Sequence, residues 1–204
     1  MSLRDYINRF TTAVAASAIL LTAEFDPLQS WRFQYRIRPR DIYITAFGPW
    51  IRFDRNPSED FAIYLSLLGY NTEILTVDFK EAPERLMRII KEKKPHTIIA
   101  LGNGAASSSY FDVNITAKNL MRGQPINGSL PDSLYLPQNN LSELVSKLSH
   151  SGIRHTLTED VGTYVCNALF FSGLDATRDS STRFYFFHVP NDIYSNKDKR
   201  QNLE

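Results

Sequence analysis

The sequence predicts a three-layer α/β domain, in which a mostly parallel central sheet has helices on both faces. From residue 41 onward, strand-like and helix-like segments alternate, which is typical of βαβ units. The run "TIIAL" (97–101) is continuously apolar, as expected for a parallel strand buried on both faces. Residues 41–204 are therefore expected to form a single α/β domain, preceded by an extension of residues 1–40.

The N-terminal extension has two interpretations. Arg4 and Arg9, followed by an apolar stretch from Ala13 to Ala23, resemble a secretory signal. The apolar positions also recur at three- and four-residue steps, which predicts one stripe of an amphipathic helix. We favour a structural helix packed on the domain. The stripe consists of Leu3, Ile7, Phe10, Val14, either Ser17 or Ala18, and Leu21.

The first half of the domain begins with a strand at "DIYITAF" (41–47), which ends in the turn signal "GPW". Asn56, Pro57 and Glu59 have the order of an N-cap, a first-turn proline and a capping carboxylate, so a helix is expected from there to about Gly69. "TEILTV" (72–77) predicts a strand. "EAPERLMRIIKEKK" (81–94) predicts a helix, whose terminal lysines suit the helix dipole.

The second half of the domain begins after the small-residue loop "GNGAASSS" (102–109). A strand is expected in "YFDVNITA" (110–117), and the Gly- and Pro-rich residues 122–138 predict a long surface loop. A helix at about 139–151, a strand near 154–158 and a helix from about 163 follow. The aromatic segment "RFYFFHV" (183–189) predicts the last strand.

Composition excludes several classes of function. With 23 basic and 22 acidic residues, the net charge of +1 provides no field that favours nucleic acid or an acidic membrane surface. No apolar run is long enough to span a bilayer. One cysteine excludes an internal disulfide and favours a reducing compartment, so a cytoplasmic location is expected. The histidines lack zinc-ligand spacing, and neither a metal nor another cofactor is expected.

The single cysteine, Cys166, lies in "EDVGTYVCNALFFSG" (159–173) at the predicted start of a helix. Amides and the dipole at that position favour a thiolate, although a lone cysteine is often an inert core residue. His188 ends the aromatic strand, and sites in open α/β sheets lie at the carboxyl ends of strands. A cysteine nucleophile needs such an imidazole, but a structural histidine stays possible. Asn167, directly after the cysteine, can hydrogen-bond nearby backbone.

A third segment, "TAFGPWIRFDRNPSE" (45–59), places Phe47 and Trp50 around a Gly-Pro turn at the end of the first strand. Two aromatic rings at such a turn could form the walls of a small, flat, apolar pocket. The alternative is that both rings cover the hydrophobic core.

The three segments together resemble the pyroglutamyl peptidase I (pyrrolidone-carboxylate peptidase) family. Its first-strand motif G-F-x-P-F with N-P-[ST] appears here as "AFGPW" and "NPS". Its nucleophile motif D-A-G-x-Y-x-C-N appears as "DVGTYVCN", and its H-[IV]-P motif appears as "HVP". Any one motif is weak, but the ordered set is specific. The resemblance covers roughly residues 41–192.

The resemblance implies a cysteine exopeptidase that releases N-terminal pyroglutamate from peptides through an acyl-enzyme. It makes Cys166 the nucleophile, His188 the general base and acid, and Phe47 and Trp50 walls for the pyroglutamyl ring. Asn167 is expected beside the substrate. Family members commonly self-associate, so a homo-oligomer is also implied.

The family's third catalytic member is a glutamate followed by an arginine, and this chain departs from that pattern. Counting back without gaps from the shared Asn119, the two positions are Asn114 and Ile115. Asn114 would then orient His188 in a Cys-His-Asn arrangement. A two-residue shift would bring in Asp112 instead, about 7 Å farther along the strand, and we favour Asn114.

These departures leave two other functions open. The first is a degenerate member that binds a peptide or a protein partner without turnover, and the second is an amidase for another small acyl group. The resemblance also implies a terminal helix beyond the histidine motif, where this chain ends soon after His188. We expect the helix predicted at residues 3–23 to fill the groove that such a helix would occupy.

Overall fold

The computed structural model describes residues 41–50, 56–104 and 110–190. Within these ranges the domain has a six-stranded sheet in the order β2-β1-β3-β8-β4-β7 and a separate two-stranded sheet, β5-β6. The strands are β1 Ile42–Phe47, β2 Asn71–Leu75, β3 Thr97–Asn103, β4 Phe111–Asn114, β5 Thr116–Lys118, β6 Ser133–Tyr135, β7 His155–Thr158 and β8 Arg183–Val189.

Four helices connect the strands and cover both faces of the large sheet, which confirms the predicted α/β class. They are α1 Pro57–Leu67, α2 Glu81–Lys93, α3 Gln138–His150 and α4 Val165–Thr177. Helices α2 and α4 pack together, and Phe170 of α4 lies 5.6 Å from Phe186 of β8, between ring centroids. On the other face, Phe61 of α1 contacts Phe111 of β4 edge to face.

The sheet is mixed, because one of its central pairs of strands, β8 and β4, is antiparallel. Strands β1, β2, β3 and β8 run parallel, but β4 runs antiparallel to β8, and β7 runs parallel to β4. Residues on β4 therefore face residues at the carboxyl end of β8, which are 72 to 76 positions later: Asp112 opposes His188 and Asn114 opposes Phe186.

Most predicted elements agree with the structure within a few residues, and two need correction. The predicted strand at 110–117 is two short strands, β4 and β5. The predicted loop at 122–138 contains β6, which pairs antiparallel with β5. Asn119 holds this segment, because its amide donates to Asn127 O and accepts from Asn127 N at 2.7 and 2.9 Å. The expected N-terminal helix lies outside the described residues.

The predicted N-cap of α1 is confirmed and also fixes the turn after β1. Asn56 is buried, and its Oδ1 accepts from Ser58 N at 3.0 Å. Its Nδ2 donates to Gly48 O at 2.9 Å, and Gly48 N donates to Leu75 O of β2. One side chain therefore caps the helix and ties the "GPW" turn to it.

Asn56→Ala is expected to lower the free energy of unfolding by about 2 kcal/mol, because it removes a cap and leaves buried backbone groups unpaired. Urea unfolding followed by circular dichroism measures the change. Ser66→Ala on the exposed face of α1 is the matched control, with an expected change below about 0.5 kcal/mol. Equal losses in both variants would contradict this account of Asn56.

Candidate active site

The first turn of α4 carries the single cysteine, as predicted, with the helix beginning two residues later than expected. Tyr164 is the N-cap residue in extended conformation, and its side chain makes no capping hydrogen bond. Cys166 is the second helical residue, so its side chain lies at the N-terminal end of α4, and its own backbone N–H hydrogen-bonds the sulfur. First-turn amides and the dipole of α4 stabilise negative charge at this point.

Cys166 and His188 converge on the backbone of Gly102 in β3. A Cβ built on Gly102 would lie 3.1 Å from Cys166 Sγ and 3.0 Å from His188 Cδ2. The distance between Cys166 Sγ and His188 Cδ2 therefore cannot exceed the sum of these two distances. Nε2 is the ring nitrogen bonded to Cδ2. The absence of a side chain at Gly102 allows the two groups to approach each other.

Asn114 lies on the opposite side of the same ring. It is fully buried, and its Nδ2 is 3.3 Å from His188 Nδ1. The structure thus brings together the three side chains that the sequence predicted as a Cys-His-Asn site. Their order across the site is sulfur, imidazole and amide.

The amide of Asn114 is oriented by backbone carbonyls. Its Nδ2 also lies 3.3 Å from Asp112 O and 3.5 Å from Phe186 O, and both oxygens favour the NH2 group at that position. Its Oδ1 is buried and has no hydrogen-bond partner among the described residues. An NH2 group cannot accept a proton from Nδ1, so this orientation of the amide favours the neutral ring form with its proton on Nε2.

Cys166 and His188 are both partly buried, and desolvation favours the neutral form of each side chain. Desolvation raises the pKa of the Cys166 thiol to about 12, although a hydrogen bond from its own backbone N–H opposes the shift. Desolvation also lowers the pKa of His188 to about 4, and the nearby Asp112 carboxylate opposes that shift. The resting pair is therefore a thiol and a neutral imidazole rather than a thiolate and an imidazolium.

The two aromatic residues predicted as pocket walls have different environments. Phe47 is 3% exposed and belongs to the hydrophobic core, so its ring has little surface left for a ligand. Trp50 is 41% exposed and contacts Tyr164, with 5.2 Å between ring centroids. Phe79 contacts the same tyrosine edge to face. The exposed aromatic surface beside Cys166 thus comes from Trp50 and Tyr164.

The side chain of Asn167 has a structural position rather than the expected place beside a substrate. It is buried, its Oδ1 accepts from Lys118 N at 2.8 Å, and its Nδ2 donates to Lys118 O and Leu120 O. Both ends of the amide are thus hydrogen-bonded to the segment formed by the last residue of β5, Lys118, and the residues directly after it. We revise its expected role to that of a clamp between α4 and this segment.

Four residues that contribute to the site were not predicted from the sequence as site residues: Asp160, Gly162, Gly102 and Tyr164. Asp160 Oδ1 accepts from Gly162 N at 2.9 Å and from Lys118 Nζ at 2.8 Å, and Gly162 has a left-handed φ of 77°. This turn directs the chain into α4. Gly102 and Tyr164 are the others, since neither residue type indicates a site by itself. The segment "DVGTYVCN" was the signal for Asp160 and Gly162.

The described residues contain no group of three or more His, Cys, Asp and Glu side chains that could hold a metal ion. In the same ranges, no helix has the length and apolarity needed to cross a membrane.

Comparison with known sequences gives matches to one kind of peptidase. A sequence model of the pyroglutamyl peptidase family matches residues 40–201. Pyrrolidone-carboxylate peptidase of Thermococcus litoralis is 27% identical over 170 residues, covering 74% of this chain and 76% of the relative. The Pseudomonas fluorescens protein of the same name is 29% identical over 170 residues, covering 74% and 78%.

Solved structures of such peptidases resemble the fold of this chain. The pyrrolidone carboxyl peptidase structure from Thermococcus litoralis has a TM-score of 0.63 and 26% identity, covering 73% of this chain and 76% of that chain. Pyroglutamyl peptidase I of Bacillus amyloliquefaciens has a TM-score of 0.65 at 22% identity, with 73% and 81% covered. At 22% identity, the similarity to the Bacillus amyloliquefaciens structure shows a shared fold alone.

Proposed function

Because the chain belongs to the pyroglutamyl peptidase family, we propose that it is a cysteine exopeptidase that removes pyroglutamate from the N-terminus of peptides. The observation that carries the proposal is that Cys166, at the start of α4, and His188 converge on the backbone of Gly102. Conversion into a binding module, the alternative raised by the sequence, has no support from the relatives described above, which carry peptidase names.

The proposed reaction begins with attack of Cys166 Sγ on the carbonyl carbon that joins pyroglutamate to the next residue. From the ring form with its proton on Nδ1, which the Asn114 amide disfavours, His188 Nε2 takes the thiol proton as the C–S bond forms, and it then gives that proton to the leaving amine as the C–N bond breaks. Water hydrolyses the resulting thioester, with His188 again acting as base. The products are free pyroglutamate, the shortened peptide and the regenerated thiol.

The negative charge that develops on the carbonyl oxygen needs hydrogen-bond donors. The first-turn amides of α4 supply them, because no side chain caps this helix N-terminus and the helix dipole has its positive end there. The neutral resting pair means that proton transfer accompanies attack instead of preceding it. The rate then depends on how well the environment of His188 stabilises an imidazolium.

The pyroglutamyl ring is flat, neutral and small, and the surface of Trp50 and Tyr164 fits such a ring by stacking. These two rings contact each other directly, so the lactam would stack on their exposed side rather than insert between them. Backbone hydrogen bonds to the lactam would supply the remaining selectivity.

Release of fluorescent amine from a pyroglutamyl amide tests the proposal, with the prolyl amide of the same fluorophore as the substrate control. Prolyl amide has a five-membered ring but no lactam carbonyl, and we expect no cleavage of it. Cys166→Ala is expected to reduce kcat/KM for the pyroglutamyl amide by at least about 1,000-fold, because the nucleophile is lost. Unchanged turnover in this variant, or none in the unmodified chain, would contradict the proposal.

A further inference from the structure

A polar row crosses three strands beside the proposed site. Asp112 of β4 opposes His188 of β8 in the antiparallel pairing, and it opposes Thr156 of β7 in the parallel pairing. Register partners present their side chains on the same face of a sheet. The three side chains therefore line up on the face that α4 covers, with the carboxylate in the middle.

The carboxylate of Asp112 is held from the side away from the imidazole. Thr156 Oγ1 donates to Asp112 Oδ1 at 2.5 Å. The second oxygen, Oδ2, lies near Gly104, the residue directly after β3: a Cβ built on Gly104 would be 3.8 Å from Asp112 Oδ2 and 3.4 Å from His188 Cβ. One oxygen is thus anchored, and the other lies on the side of His188.

The charge of this carboxylate acts on the imidazole. Among the described residues, Asp112 is the acidic side chain whose attraction opposes the desolvation of His188. In the described part of the chain, the other titratable group near the ring is Cys166 from α4, while Gly102 at the end of β3 and Gly104 just after it carry no side chain. Asn114 contacts the ring but carries no charge.

We propose that Asp112 is a positioning residue that stabilises the imidazolium form of His188, and that Thr156 fixes its carboxylate for this purpose. The two functions of a single carboxylate in a catalytic triad, orientation and charge, are then divided: Asn114 contacts Nδ1, and Asp112 provides the charge. The inference rests on the proposed function for its catalytic meaning, but the charge effect on His188 can be measured without any turnover.

The test measures protonation of His188 by ¹⁵N NMR in the Cys166→Ala background, with His188→Gln used to assign the signal. With a pKa of about 4, about half of the His188 rings are charged at pH 4. Asp112→Asn, which keeps the shape and the Thr156 hydrogen bond, is expected to reduce that fraction to about a tenth, corresponding to a shift of about one pKa unit. Thr156→Val should shift it in the same direction by less.

Asp179→Asn at an exposed position beyond α4 is the matched control, and circular dichroism at pH 4 verifies that each variant is folded. In the active chain, Asp112→Asn is expected to lower kcat/KM about 10-fold. An unchanged titration of His188 in both Asp112→Asn and Thr156→Val would overturn the inference. Lack of pyroglutamyl amide turnover with an altered titration would overturn the proposed function instead.

Discussion

Replacing Gly102 with alanine is expected to lower kcat/KM at least about 100-fold while leaving the domain folded. The added Cβ would lie 2.9 Å from Phe186 Cζ, 3.0 Å from His188 Cδ2 and 3.1 Å from Cys166 Sγ. The backbone of β3 accepts alanine, since Gly102 does not have a left-handed φ. The side chains must therefore move, and a displacement of about 1 Å between reacting groups can cost about 100-fold in rate.

Steady-state kinetics and thermal unfolding of the same samples separate the two effects. Overpacking is expected to cost about 1–3 kcal/mol of stability, which leaves a folded population for the assay. Gly128→Ala is the matched control, because nothing lies within 4 Å of its added Cβ and its φ is not left-handed. A Gly102→Ala variant as active as the Gly128→Ala variant would show that Cys166 and His188 do not react at this point.

Asn114→Glu is expected to raise kcat/KM about 10- to 100-fold. The NH2 group of Asn114 faces His188 Nδ1 at 3.3 Å and selects the ring form with the proton on Nε2, which cannot accept the thiol proton. A glutamate oxygen would accept a hydrogen bond from Nδ1–H, free Nε2 to act as base, and stabilise the imidazolium. The cost is a second buried carboxylate near Asp112, which limits the gain.

Asn114→Gln is the control, because glutamine is as long as glutamate but, like asparagine, is neutral and carries an NH2 donor. We expect it to be no more active than the unmodified chain. Asp112→Asn should cost less activity in the Asn114→Glu background than alone, since the nearer carboxylate then supplies the charge. Equal activity of the Glu and Gln variants would show that neither tautomer nor charge at this position limits the reaction.

Local sequence patterns were sufficient for much of this molecule. Alternation of apolar segments predicted most strands and all four helices in the described part of the α/β domain, and Asn56 before Pro57 predicted the start of α1. Each of these features depends on residues that are close in the sequence, within one helical turn or one strand. The ordered motifs around Phe47, Cys166 and His188 identified the family for the same reason, since each is a short contiguous segment.

Other features depend on which distant segments pair. The antiparallel insertion of β4 beside β8 places Asn114 and Asp112 next to His188, and no local pattern encodes that register. The sequence therefore presented the two residues as alternatives, whereas the structure has both beside the ring. The engagement of Asn167 with Lys118, and of Trp50 with Tyr164, likewise became visible only in three dimensions.

The sequence by itself determined the helix that carries the thiol, the strand that carries the imidazole and the family to which both belong. The tertiary structure decided the charge state of that pair: desolvation favours a neutral thiol and a neutral imidazole, an amide instead of a carboxylate contacts Nδ1, and the carboxylate of Asp112 lies on the adjacent strand. The physical reason is that pKa and proton position depend on desolvation and on groups a few ångströms away in space, and strand pairing brings those groups from far apart in the chain.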